Sequence, residues 1–251
     1  MMKKNGFTLA EVLITLTIIG VVAMMTLPAL MTNVAEQQAK TGIKKAINTL
    51  TEAAQMSEAI SGFNFGSLKK DLTSIDANSP DTQTMTGLLM SRTAVDVGKS
   101  RLAGGDLSVS AKYMIDDDHG STIAKNNFNN ANIVFLRDGS ALLYNPDDTF
   151  TSEENSETLE DGLPLGFTIL YDINGTKGPN MLSNCNKETD PEKDGSFTYP
   201  LSSAQINTGI DVDACIGANK SNRMIKDQFL LQVRRNVVQP ASPAALWAAT
   251  D

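Results

Sequence analysis

Residues 3–31 read KKNGFTLAEVLITLTIIGVVAMMTLPALM, and their reading decides the fold. Two lysines and a Gly6-Phe7 junction precede an apolar run. From Phe7 to Met31, twenty-five residues carry a single charge, Glu11. At about 1.5 Å of rise per residue, a helix of that length crosses a hydrocarbon core of roughly 30 Å. Lys3 and Lys4 before it hold the N-terminus in the cytoplasm by the positive-inside rule, so everything beyond residue 31 lies outside.

Three readings compete for the segment. It is a secretory signal with Val21-Val22-Ala23 as the cleavage site, a plain membrane anchor, or a helix cut ahead of its apolar part and retained. Glu11 separates them. A carboxylate in an apolar span costs roughly 2.5–3.5 kcal/mol on insertion scales, less near an interface. The first two readings gain nothing from that cost. In the third, a cut after Gly6 creates a new ammonium on Phe7 with which a carboxylate can pair.

The pattern Lys3-Lys4-Asn5-Gly6-Phe7-Thr8-Leu9-Ala10-Glu11, followed by about twenty apolar residues, resembles the N-terminus of type IV prepilins and type II secretion pseudopilins. The resemblance covers about the first thirty residues. It implies a prepilin peptidase/methyltransferase that cuts after Gly6 and methylates the Phe7 amine. It also implies that Glu11, fifth from Phe7, neutralises the amine of a neighbouring subunit during assembly. The implied partners are other pilin or pseudopilin subunits, the inner-membrane assembly machinery and membrane lipid. The implied location is the bacterial inner membrane, single-pass with the head outside, and then an extracellular or periplasmic filament. An unpaired carboxylate and an unpaired ammonium are each costly in an apolar core, and pairing removes both penalties in one axial register. Gly20 and Pro28 interrupt the apolar helix, where Pro removes a backbone bond and Gly lowers helix propensity.

Beyond Met31 the helical period continues. Ala39, Ile43, Ala46, Ile47, Leu50 and Ala54 form one apolar stripe, with Glu36, Lys40, Lys44, Lys45, Glu52 and Glu58 largely on the remainder. Gly42 costs this helix about 1 kcal/mol, and Gly62 is its stop signal. The expected organisation is a leader at 1–6, a transmembrane and assembly helix at 7–31, an amphipathic continuation at 32–61 and a head at 62–251.

In the head, residues 64–130 read as irregular with one short helix. "NIVFLRDGSALLYN" predicts a hairpin, Ile133–Arg137 and Ala141–Tyr144 around Asp138-Gly139. Phe167–Ile173 predicts a third strand. "MIKDQFLLQVRRNVV" reads as a helix or a last strand, and "QPASPAALWAATD" as a loosely attached tail. The fold class is therefore α+β: a long N-terminal helix on a small antiparallel sheet, as in pilins.

Composition excludes little beyond this. Hydrophobic residues make up 41% and charged residues 20%, ordinary for a folded chain. A net charge of −8 argues against binding of a phosphate backbone, so no nucleic-acid partner is expected. The two cysteines, Cys185 and Cys215, are either two buried thiols or, outside the cytoplasm, a disulfide. Such a bridge contributes roughly 3–4 kcal/mol by loop-entropy reasoning. No catalytic centre is legible: His119 is the one histidine, and nothing beside it supplies a nucleophile and oxyanion site. Asp116-Asp117-Asp118 and the "DINGTKGPN" loop, with Asp172, Asn174 and Gly175, hold calcium-type oxygens. The loop lacks the later glutamate, and both read more simply as turns. No cofactor, metal or catalysis is expected. The alternative to a filament subunit is an exported or membrane-anchored binding module or enzyme with an ordinary signal segment.

Overall fold

A computed structural model describes residues 8–69, 83–100, 131–145, 167–178, 180–183, 185 and 225–250. The chain divides into two compact units, Met1–Gln38 and Ala39–Asp251. The helix α1, Leu9–Ser61, contributes to both.

Within the first unit, α1 continues without a break in helical assignment through Gly20 and Pro28. Leu13, Ile14, Ile18, Ile19, Val22 and Leu27 are all exposed. The helix is long and apolar enough to cross a membrane.

Within the second unit, the periodic stripe becomes a core face. Ala39, Ile43, Ala46, Leu50, Ala53 and Ala54 are buried, and Ile47 packs at the margin. Gly62 ends the helix in the left-handed region, φ +75°, and its N–H donates to the Glu58 carbonyl at 3.1 Å. That bond supplies a partner to a carbonyl that the last turn leaves open. A 3₁₀ turn at Phe65–Ser67 and the helix α2, Met85–Arg92, follow. Thr84 caps α2, accepting from the Gly87 N–H at 3.1 Å, and Met85, Leu88 and Leu89 enter the core.

The sheet has five strands in sequence order, every neighbouring pair antiparallel: β1 Asn132–Phe135, β2 Ala141–Tyr144, β3 Phe167–Asp172, β4 Gln228–Arg234 and β5 Val237–Pro240. Phe135 faces Ala141 across the predicted hairpin, and Gly139 supplies φ +95° in its turn. Asp138 Oδ1 accepts from the Ser140 N–H at 3.0 Å and from its hydroxyl at 2.6 Å, which fixes that turn.

Two expectations are corrected. The segment read as a helix or a last strand is not one element: among the described residues "QFLLQVR" and "VVQP" form two strands, a second hairpin across Arg235-Asn236 with Arg235 at φ +42°, which brings the sheet to five. The C-terminus is no loose tail. Residues Pro243–Thr250 form a helix, α3, and bury Ala244, Ala245, Trp247 and Ala248 in the main core. Ser242 caps it, accepting from the Ala245 N–H at 3.2 Å. An almost wholly apolar run has no polar face to betray a helical period, so its docking was invisible in the sequence.

Val134, Leu142, Ile169, Tyr171, Phe229 and Leu231 join the α1 stripe in one core, with Phe65 edge-on to Phe167 at 6.4 Å between ring centroids. Ile133, Leu143, Leu170 and Leu230, on the alternate positions, are buried as well. Burial on both faces is why these strands read as continuous apolar runs rather than alternating ones.

Candidate functional site

The first site lies at the start of α1. Thr8 precedes the helix, and its N–H and hydroxyl both donate to Glu11 Oε2 at 2.8 Å. The Glu11 N–H reaches back to Thr8 Oγ1 at 3.3 Å. This reciprocal exchange is a capping box, Thr-x-x-Glu, which supplies partners to backbone donors that a helix start leaves open. The signature was present in the sequence, but Glu11 there drew attention only as a partner for an amine. Both Thr8 bonds use Oε2, and the carboxylate is exposed. Its second oxygen takes no part in the cap. Gly6 and Phe7 lie outside the described residues.

The second group lies in the head, where β3 gives way to the predicted turn. Asp172 is buried and accepts from the Asn174 N–H and from Gln228 Nε2, each at 3.1 Å. Asp227, the residue before β4, accepts from the backbone N–H groups of Asn180 and Met181 at 2.9 Å each, and from Asn174 Nδ2 at 3.2 Å. Burial, and then the charge of Asp227, push the Asp172 carboxyl up to about 8 despite those hydrogen bonds. The two carboxyl groups thus have donors from Asn174, Asn180, Met181 and Gln228 around them and tie that loop to the head of β4. Sequence reasoning singled out Asp172 and Asn174 but missed Asp227, which lies more than fifty residues away. Among the described residues, no three His, Cys, Asp or Glu side chains group as metal ligands.

This loop is packed against both α1 and the β1–β2 turn. A Cβ added at Gly42 would meet Cγ1 and Cγ2 of Ile173 at 3.0 Å, and one at Gly175 would strike the Gly139 carbonyl. Gly42 is therefore a close-approach residue of the helix. Beside it, Lys45 Nζ bonds Asp138 Oδ2 at 2.6 Å. Burial alone would raise the Asp138 carboxyl, but Lys45 and Ser140 outweigh it and hold the group below its usual range. Lys40 lies 4.6 Å from the ring centre of Trp247, a cation–π contact that links α1 to α3.

Cys185 is buried, whereas Cys215, His119 and Asp116-Asp117-Asp118 lie outside the described residues. Residues 1–27 match the family described as the prokaryotic N-terminal methylation motif, the signature of type IV pilins and pseudopilins. No curated protein and no solved structure matches the chain.

Proposed function

We propose that this chain is a structural subunit of a type IV pilus or a type II secretion pseudopilus, cut after Gly6, N-methylated at Phe7 and polymerised through α1. The observation that carries the reading is the methylation motif over residues 1–27, joined to a largely exposed apolar stretch of α1, up to Met31, whose one carboxylate is Glu11. In this reading the leader is 1–6, the membrane and assembly helix 7–31, its continuation 32–61 and the head 62–251. Before assembly, Glu11 is held by the Thr8 cap. In the filament its carboxylate accepts the Phe7 ammonium of a neighbour, which sets the axial register.

The partners that follow are a prepilin peptidase/methyltransferase, further subunits, the inner-membrane assembly machinery and lipid. The chain is a substrate of processing and has no catalysis of its own. The head lies outside the inner membrane, and in that oxidising setting Cys185 and Cys215 form a disulfide. Intact-mass measurement or N-terminal sequencing of the mature protein tests the reading. A chain beginning with N-methylated Phe7 is expected, and one beginning at Met24 overturns it.

A further inference from the structure

Two charges on the head part of α1 stand unused. Lys44 and Glu52 are both exposed, and among the described residues neither makes a hydrogen bond or an ion pair. Eight residues of one helix hold them about 12 Å apart along its axis, so α1 cannot pair them with each other. Beyond Glu52 the same helix exposes two large apolar side chains, Met56 at 50% and Ile60 at 65%.

A cavity of about 240 Å³ opens next to Lys44, between α1, the residues after α2 and the β1–β2 turn. Leu50, Leu136 and Leu142 supply apolar wall, and Lys45 and Arg137 are exposed at its rim. Asp138, already bonded to Lys45, is the one carboxylate in the lining. The cavity is smaller than the roughly 300–1,000 Å³ of typical small-molecule sites and suits one large side chain, as in a protein anchor pocket. On α1 its lining runs from Lys45 to Leu50. Met56 lies six residues farther along, about 9 Å up the helix, and is not part of it.

One displacement answers both observations. A parallel copy moved back by eight residues of α1, about 12 Å, brings its Glu52 level with Lys44. The same move brings its Met56 level with position 48, inside the span of α1 that lines the cavity. The chain cannot do this to itself, because Lys44, the α1 wall of the cavity and Met56 are fixed on one unbroken helix. We infer that two copies of the chain meet here, with Glu52 of one among Lys44, Lys45 and Arg137 of the next and Met56 seated at the cavity as the anchor. The inference rests on the filament reading, which sets copies of α1 parallel. The two patches differ and each copy carries both, so the contact is heterologous and repeats from copy to copy. The apolar anchor supplies affinity, and the opposite charges select the partner and its register.

The test uses the full chain in the membrane, with two differently tagged copies. One carries a benzophenone amino acid in place of Met56. Light is expected to give an adduct between copies that maps to residues 45–50, 93–94 or 136–138. Glu52→Lys in the donating copy is expected to lower that adduct about tenfold, corresponding to about 1.4 kcal/mol. Lys44→Glu in the receiving copy is expected to lower it as well, and to restore part of it when combined with Glu52→Lys in the donor. An adduct within one copy only, an adduct mapping elsewhere, or a yield indifferent to Glu52→Lys overturns the contact. No recovery in the paired reversal overturns the eight-residue register. A chain that begins at Phe7 and assembles without this adduct overturns the contact alone; one that begins at Met24 overturns the filament reading as well.

Discussion

Thr8 donates both its amide and its hydroxyl hydrogen to one oxygen of Glu11, each at 2.8 Å. The residue that makes the apolar helix costly to insert is thus engaged by its own chain before any neighbour arrives. Glu11→Ala removes both the cap and the acceptor for an incoming ammonium. Processing after Gly6 is expected to continue, while incorporation into filaments stops or slows severely. Thr8→Val removes only the hydroxyl bonds and is expected to slow incorporation less. Quantifying processed subunit in sheared filaments against the membrane fraction checks both, and normal assembly of Glu11→Ala would sink the pairing mechanism.

Gly42 lies so close to Ile173 that a Cβ on it would meet Cγ1 and Cγ2 at 3.0 Å. Gly42→Leu should improve intrinsic helix propensity yet destabilise the head by about 1–3 kcal/mol, because the added carbons overfill the site. Ile173→Ala in the same chain should recover part of the loss. Thermal unfolding of the detergent-solubilised chain and its two variants decides the matter. Full stability of Gly42→Leu alone would show that the loop yields.

The buried carboxyl of Asp172 makes head stability pH-dependent. Its folded value of about 8 lies above the ordinary carboxylate value of about 3.9, so folding favours the protonated group. Its contribution is fully present below about pH 4 and is lost as pH rises through about 8, with a slope of at most about 1.4 kcal/mol per pH unit. Asp172→Asn keeps a neutral hydrogen-bonding group there. The variant should gain on the parent between pH 5 and pH 8.5 in unfolding experiments. A loss of equal size at both pH values would contradict this account.

Trp247 reports on α3. Trp247→Ala is expected to cost about 3–5 kcal/mol, as for other large core aromatics, and ending the chain before Ser242 is expected to cost at least as much. As the only tryptophan in the chain, it also offers a direct readout. Its emission should be blue-shifted in the folded protein and move red on unfolding. Emission typical of exposed indole in the native chain would return the C-terminus to the status of a tail.

Local rules sufficed wherever the governing physics is local. The apolar run, the stripe from Ala39 to Ala54, the Asp138-Gly139 turn and the Gly62 stop each depend on neighbours within a turn or two, and each was legible in the residues. Glu11 was legible as well, because a charge in an apolar run has few uses. Tertiary structure decided the rest. It paired Asp172 with Asp227, set Gly42 against Ile173, drew Lys45 to Asp138 and buried Trp247 beneath Lys40. Those partners are separated by 55 to more than 200 residues of sequence. No periodicity or propensity encodes such contacts; they arise only when the strands find their register and the helix closes over the sheet.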